Sequence, residues 1–367
     1  MRVTRVTLRD FRCYRDADAL LGAGLTVVCG SNGAGKTNLL EGIYFGCTGR
    51  SCRTANEREV VRFGAAMARV VVRAEGDDGP HELTVGFAPG QAKRLRVDGA
   101  PVERLLDQPN RPLVGVFLPD RLELVKGVPA LRRAHLDQLV GALWPARVAT
   151  RRAYAQTLAQ RNALISRIRA GRASRISLST WDAQLASSGI ALMRDRAQAL
   201  ELVSAPFQRR GAGLGLGAAL SLCYRPRSHA IEPQQLAAEL SQRIDGDLDR
   251  GYTGHGPHRD ELVVLREERD LRTFGSQGQQ RLALLALLLA ERDTIADQRA
   301  SAPLMLLDDV MSELDRSRRQ ALVDALRAGG GQSVIATTDL EHVPGASARD
   351  VARLAVSEGR VRQEVAA

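Results

Sequence analysis

Eight consecutive residues, Gly30-Ser31-Asn32-Gly33-Ala34-Gly35-Lys36-Thr37, follow the spacing G-x-x-x-x-G-K-[ST] directly after the apolar run Leu25-Thr26-Val27-Val28-Cys29. Glycine at those positions lets the backbone turn tightly, so that successive N–H groups face a phosphate. The lysine then reaches the β/γ oxygens, and the threonine hydroxyl holds Mg²⁺ at a helix N-terminus. The pattern predicts a mononucleotide site. Composition sharpens it: of 52 Lys+Arg only Lys36, Lys93 and Lys126 are lysines, and one of them falls where a compact ammonium on a slim stem is needed. Further along, Pro303-Leu304-Met305-Leu306-Leu307-Asp308-Asp309 reads as a buried strand ending in two carboxylates. Asp308 suits a magnesium ligand, direct or through water, and Asp309 suits a base that orients and deprotonates a water. Some 30 residues earlier, Phe274-Gly275-Ser276-Gln277-Gly278-Gln279-Gln280-Arg281 opens the apolar stretch 282–290. Small polar residues and glycine at the start of a buried helix make an anion seat, of which Ser276, Gly278 and Gln279 are the candidates. The same residues also fit an ordinary N-cap, Ser276 with Gln279 three positions on.

Such groups need a frame. Val3-Thr4-Arg5-Val6-Thr7-Leu8-Arg9-Asp10-Phe11-Arg12 alternates as a half-buried strand, and strand-like runs recur at 68–75, 81–87, 93–97 and 113–118. The phosphate loop therefore belongs to an α/β lobe, its helix carrying Asn38-Leu39-Leu40-Glu41-Gly42-Ile43-Tyr44-Phe45. From Trp144-Pro145 to about Arg209 the character changes to long polar helices. Tyr154, Leu158, Ile165 and Ile168 share one face, and Trp181, Leu185, Ser188 and Leu192 share another, with a turn at 170–175 between them. The spacing predicts an antiparallel pair of about 25 residues per helix, roughly 40 Å long. Gly211-Ala212-Gly213-Leu214-Gly215-Leu216-Gly217 lacks dinucleotide-loop spacing and reads as a hinge or linker. The predicted division is 1–143 and 211–367 for two parts of the α/β lobe, with 144–210 as a helical arm.

A chain of 367 residues, 44% hydrophobic, has room for such a lobe and an insertion. No apolar run approaches the roughly 20 residues that span a bilayer, and the first residues lack a signal-peptide core, so no membrane association is expected. Five cysteines, an odd number without C-x-x-C pairs, predict buried thiols in a reducing, cytoplasmic compartment and argue against a zinc site or disulfide framework. The net charge of +10 points to a polyanionic partner.

Phosphate loop, long insertion, Ser-x-Gly-Gln, an apolar strand with paired acids, then Ser312-Glu313-Leu314-Asp315: this order resembles the ATP-binding-cassette ATPases and their chromosome-maintenance branch. Within that branch the chain is similar to the RecF family. The likeness is carried by Gly49-Arg50-Ser51, by Val116-Phe117-Leu118-Pro119-Asp120-Arg121-Leu122-Glu123-Leu124-Val125-Lys126-Gly127 with Arg132-Arg133 and Leu136-Asp137 beyond it, and by Tyr252-Thr253-Gly254-His255-Gly256-Pro257-His258-Arg259-Asp260 and Ser276-Gln277-Gly278-Gln279-Gln280-Arg281. The resemblance implies an α/β fold, an ABC-type, SMC/Rad50-like P-loop ATPase head with an inserted short helical arm domain. It also implies ATP and Mg²⁺ as cofactors, and an ATP-dependent homodimer. In that dimer Lys36 and Thr37 of one subunit would face Ser276 and Gly278 of the other. Asp315 would lie in the interface loop, and Thr338, at the end of Ser333-Val334-Ile335-Ala336-Thr337-Thr338-Asp339, would face the γ-phosphate. The chain departs from the transporter pattern in three places. Thr338 stands for the usual histidine, Asp309 for the usual glutamate, and no glutamine matches the loop near Pro119-Asp120. The departures suit a slow ATPase that uses nucleotide as a clamp timer, and the resemblance implies a weak, DNA-stimulated ATPase.

By the same likeness the expected function is binding of duplex and gapped DNA, single-strand/duplex junctions included. Its setting is recombinational repair, replication restart and the SOS response, where the protein assists recombinase loading with RecO and RecR as partners. The arginines Arg151, Arg152, Arg161, Arg167, Arg169, Arg172 and Arg175 along the arm suit sequence-independent phosphate contacts. Alternatively they solvate a helix pair. His258 and Arg259 serve the nucleotide site, a DNA surface or only a loop. A transporter ATPase subunit would place its motifs much closer together than Lys36 and Ser276. A long coiled-coil protein of the cohesin or Rad50 kind would need several hundred residues of heptads.

Overall fold

The computed structural model describes residues 1–108, 111–118, 122–217 and 220–364. By packing, the chain forms two compact units, Met1–Arg121 with Gly213–Gly215 and Leu288–Ala367, and Leu122–Ala212 with Leu216–Leu287. These boundaries differ from the division at 143 and 210 expected from composition.

The first unit opens with strands β1 (Arg2–Phe11), β2 (Tyr14–Leu20) and β3 (Leu25–Cys29), followed by helix α1 (Lys36–Thr48). Strands β4 (Ala68–Gly76), β5 (Gly79–Phe87), β6 (Arg94–Val97), β7 (Ala100–Pro101) and β8 (Val114–Phe117) come next. The strand-like runs of the sequence are all present. The chain then enters the second unit through α2 (Glu123–Lys126), α3 (Pro129–Leu143), α4 (Val148–Arg169) and α5 (Leu178–Gly213). It continues with β9 (Leu220–Arg225), α6 (Pro233–Gln242), α7 (Ile244–Arg250), β10 (Glu261–Arg266), β11 (Arg269–Asp270) and α8 (Leu271–Phe274). Helix α9 (Gln277–Arg299) leads back to β12 (Leu304–Asp308), α10 (Arg316–Ala328), β13 (Ser333–Thr337), β14 (Ala352–Ser357) and β15 (Arg360–Glu364).

Two six-stranded sheets build the first unit. One is antiparallel, in the order β2-β1-β4-β5-β6-β7. The other runs β15-β14-β3-β13-β12-β8, parallel from β14 to β8 with β15 as an antiparallel edge. Helix α1 is buried nearly all round because it packs on both. Its Leu39, Leu40, Ile43 and Phe45 share one buried core with Val6 and Leu8 of β1, Leu306 of β12 and Val334 of β13. Parallel strands buried on both faces read as continuous apolar runs, which is why β12 was visible in the sequence, and β13 is of the same kind.

In the second unit, ion pairs between Arg147 and Asp195 and between Arg161 and Asp182 confirm that α4 and α5 run antiparallel. The helices are unequal, however, 22 and 36 residues, or about 33 and 54 Å at 1.5 Å per residue. Helix α5 runs through the start of the glycine run to Gly213, so the reading of 211–217 as a linker is corrected there. Gly211 is a packing residue: an added Cβ would lie 2.1 Å from Cδ1 of Leu220. Nor is the pair a bare arm. Helix α6 buries Leu236 and Leu240 against Tyr154, Leu185 and Ile190, and α7 buries Leu248 against Ile165 and Leu178. A three-stranded sheet, β11-β10-β9, completes the unit.

Candidate functional site

The order of the second sheet decides where the chemistry gathers. Strands β3, β13 and β12 are adjacent and parallel, so the loops leaving their carboxyl ends are neighbours. The phosphate loop leaves β3, Thr338 follows β13, and Asp308 ends β12. Two loop glycines are required by this fold. Gly35 has φ 121°, and a Cβ on it would meet Sγ of Cys13 at 2.8 Å and the Tyr14 hydroxyl at 2.9 Å; a Cβ on Gly30 would lie 2.3 Å from the Val356 carbonyl oxygen.

Nζ of Lys36 donates to the carbonyls of Gly30 (2.7 Å) and Ser31 (3.0 Å), which holds the buried ammonium inside the loop. The Thr37 hydroxyl donates to Oδ2 of Asp308 at 2.7 Å, joining residues 271 positions apart in sequence. Burial, aided by the charge of Asp309, raises the Asp308 carboxyl above the ordinary range, while the Thr37 hydroxyl, Arg53 and Lys36 pull it back. Asp309 has left-handed backbone, φ 46°, a conformation that Asp tolerates better than most residues. Its amide donates to the Ala336 carbonyl at 3.1 Å, and its Oδ1 is buried without a hydrogen-bond partner among the described residues. A hydroxyl beside a carboxylate, a lysine on loop carbonyls and an unsatisfied acidic oxygen fit a magnesium–nucleotide whose phosphates complete the coordination. Among the described residues no group of three or more His, Cys, Asp or Glu is placed to hold a metal ion.

Sequence reading missed the outer support. Glu41, fully buried one turn after Thr37, accepts from Arg12 at 2.7 and 2.8 Å, from the Ser51 hydroxyl at 2.5 Å and from Arg53 at 3.4 Å. The Tyr14 hydroxyl donates to the Gly35 carbonyl at 2.9 Å. The one available signal was a glutamate in an otherwise apolar helix face, which must find cations. Cys13 and Asn38 meet at 3.2 Å beside the loop. Of the cysteines, Cys47 is buried, Cys13 is exposed, and Cys29, Cys52 and Cys223 are half-buried, which corrects the expectation of buried thiols.

Ser276, Gly278 and Gln279 belong to the second unit. The Ser276 amide donates to Oε1 of Gln279 at 2.9 Å, and the Gln279 amide to the Ser276 hydroxyl at 3.3 Å, a complete capping box. Ser276 and Gly278 are exposed, and a Cβ on Gly278 would meet nothing within 4 Å. Nothing in the packing of the described residues therefore requires that glycine. Asp315 caps α10 by accepting from the Arg318 amide at 2.9 Å. Pro119, Asp120 and Arg121 lie outside the described residues.

The arm arginines divide. Arg161 is fully buried, with Nε on Asp182 (2.6 Å) and Nη1 on Asp247 (2.7 Å) and the Thr253 hydroxyl (2.7 Å), so its expected role at DNA is corrected to a structural one. Arg151 pairs with Asp137 at 3.2 Å and Arg175 with Asp245 at 2.7 Å. Arg167, Arg169 and Arg172 are exposed. Of the two residues left open, His258 is also structural. Its Nε2 faces the Thr253 carbonyl at 2.9 Å and must donate; Nδ1 then accepts from the Tyr154 hydroxyl at 2.7 Å. Burial, with the charges of Arg259 and Arg133, pushes the imidazole down to about 4 and keeps it neutral.

Among the described residues no helix is long and apolar enough to cross a membrane. The family described as AAA domain matches residues 5–84. The protein "DNA replication and repair protein RecF" of Herpetosiphon aurantiacus is 34% identical over 98% of this chain and 99% of its own length. Its namesake from Anaeromyxobacter is 36% identical over 98% and 99%. Among solved structures, that of "the recombination mediator protein RecF-ATP in RecFOR pathway" superposes with a TM-score of 0.88 at 26% identity, covering 99% of this chain and 98% of that one. An Smc head domain from Pyrococcus furiosus matches with a TM-score of 0.59 at 15% identity over 99% and 96%, a likeness of fold.

Proposed function

Because the chain belongs to the RecF family of DNA replication and repair proteins, we propose that it is a slow, DNA-stimulated ATPase whose ATP-dependent homodimer clamps duplex and gapped DNA in recombinational repair and replication restart. In that role it assists recombinase loading and SOS induction, with RecO and RecR as partners. A DNA replication and repair ATPase with a P-loop head is what the family provides; the clamp, the partners and the residue roles are the proposal.

One observation carries it. Lys36, Thr37 and Asp308 converge in the first unit, whereas the Ser276–Gln279 helix start is exposed in the second and its glycine answers no need of its own chain. A nucleotide held by the phosphate loop of one copy and the Ser276 helix start of a second would link nucleotide binding and dimerisation thermodynamically. Thr37 and Asp308 would hold Mg²⁺, which draws charge from the phosphoryl oxygens. Lys36 neutralises the β/γ oxygens as a point charge. Asp309, its Oδ1 already dehydrated and unpaired, orients water and accepts its proton. Thr338 offers a neutral hydroxyl in place of an imidazole, in keeping with slow turnover.

Lys36→Arg is expected to preserve nucleotide binding but to slow hydrolysis about tenfold or more, because a planar fork replaces a compact charge inside the loop. Steady-state phosphate release checks this, and unchanged turnover would refute the loop assignment. DNA affinity is expected to be indifferent to base sequence and steep in salt. Three exposed arginines on each of two arms, Arg167, Arg169 and Arg172, neutralise about 4 to 6 phosphates, for a slope of log K on log salt of roughly −4 to −5. ATP should tighten binding by making the contact bivalent. Titrations of duplex and gapped DNA with ATP, ADP and no nucleotide, with sedimentation of the same samples, test the clamp; equal affinity and equal sedimentation in all three states would sink it.

A further inference from the structure

The motif Tyr252-Thr253-Gly254-His255-Gly256-Pro257-His258-Arg259-Asp260 belongs to the second unit, whereas Lys36, Thr37 and Asp308 belong to the first. It walls a cavity of about 540 Å³ in the second unit, around which stand Arg227, Arg243, Arg250 and Arg259 with Tyr252 and His255. From this arrangement we propose a second phosphate-binding site, in which the arginines take the phosphates of a nucleic-acid strand or of a free nucleotide.

The cavity is a built structure. Arg250 is tied to Oδ1 of Asp247 at 2.9 Å, and the backbone beside its guanidinium is bare. A Cβ on Gly254 would lie 2.7 Å from Nη2, and one on Gly246 would lie 3.2 Å from Nη1. Asp247 is also held by the buried Arg161 and by the Gly254 amide at 2.9 Å, so it does not quench Arg250 alone. Arg259 lies 5.1 Å from the Tyr252 ring centre, and the Arg227 amide is anchored on Asp260 at 2.8 Å. Among the described residues Arg227, Arg243 and Arg259 form no ion pair within 4 Å. The nearby carboxylates are already engaged: Glu239 accepts from Ser228 at 2.6 Å and pairs with His255 at 2.5 Å, and Asp245 pairs with Arg175. Arg243 acts on Glu239 only over a longer distance.

Beneath these exposed cations the loop is pinned by buried groups. Thr253 sits on Arg161 and Asn162, His258 on Tyr154, and Asp260 on Arg196 and Tyr224. Holding four guanidiniums around one concavity costs mutual repulsion that a multivalent anion relieves. The volume exceeds what one carboxylate fills and suits a nucleotide or a turn of backbone, and the exposed Tyr252 ring offers a face to a base. The strand-borne source rests on the DNA-binding reading; the free-nucleotide source does not.

The test uses the full chain with Arg250→Gln and, separately, Arg259→Gln, both at exposed positions. DNA binding is read by anisotropy over a salt series, and pyrophosphate and ATP binding by calorimetry, the latter also in a Lys36→Ala background. For a strand ligand, each variant weakens DNA binding roughly tenfold and flattens the salt slope by about 1, with ATP affinity at the phosphate loop unchanged. For a free nucleotide, pyrophosphate binding survives Lys36→Ala and is lost with Arg250→Gln, whatever the chain does with DNA. If the wild type binds DNA and both variants match it in DNA and pyrophosphate affinity, the pocket is overturned and the DNA reading stands. If the wild type binds no DNA and the Lys36→Ala chain no pyrophosphate, both fall.

Discussion

Arg161→Met is expected to destabilise the second unit by about 3 to 5 kcal/mol, the usual cost of removing one partner from a buried ion-pair network. Arg161 is fully buried between Asp182 and Asp247 and also donates to Thr253. Methionine fills much of the volume, so the loss is electrostatic: two dehydrated carboxylates remain without their shared cation. Asp182 already stands above the ordinary carboxylate range, because burial outweighs the pull of Arg161. Removing the arginine raises it further. A carboxyl whose folded value lies above its unfolded one contributes most when protonated, below the unfolded value, and loses that contribution as pH rises through the folded value. The deficit of the variant should therefore be larger at pH 8 than at pH 5. Denaturant unfolding of both chains at the two pH values measures it. A loss under about 1 kcal/mol, or one independent of pH, would mean that the network is relaxed enough to admit water. The double variant Arg161→Met, Asp182→Leu should recover part of the stability, since pairing both partners with apolar neighbours removes the orphaned charge.

Ser276→Arg is expected to leave ATP binding by the isolated chain intact and to abolish ATP-induced dimers. The hydroxyl closes a capping box on an exposed helix start, so its loss to the chain's own stability is limited to about 1 kcal/mol. An arginine there places a bulky side chain where the second subunit would bring its nucleotide, and removes the small surface next to Gly278, which is otherwise open. The decisive comparison is sedimentation with ATP, in an Asp309→Asn background expected to slow hydrolysis, against nucleotide affinity under the same conditions. Loss of ATP binding by the monomer would mean that Ser276 serves its own subunit's site. Dimers of normal affinity would mean that the helix start faces solvent in the assembly.

Local rules carried much of this protein. The phosphate loop, β12 with its apolar run, and the capping box at Ser276 were legible because each depends on residues within a few positions of one another. The antiparallel direction of α4 and α5 followed from one turn between two periodic stretches. What sequence alone left open were pairings across long separations. Thr37 meets Asp308 only because β3, β13 and β12 take adjacent places in one sheet, and strand order is set by packing of the whole unit, not by either strand's composition. Charged residues show the limit most plainly. Arg161 and Arg167 look alike in a polar helix six residues apart, yet one is enclosed by Asp182 and Asp247 and the other is exposed. Burial of a charge is decided by where its counterions arrive, and Asp247 arrives on α7, 86 residues away. The His258 motif divides in the same way: tertiary contacts make the histidine a neutral strut and leave its neighbour Arg259 exposed at the rim of a basic cavity. Sequence determined which chemistry the chain carries, because residue type sets charge and hydrogen-bonding capacity. The tertiary structure alone decided which of those groups remain free to use it, because desolvation and pairing depend on neighbours that the sequence places far away.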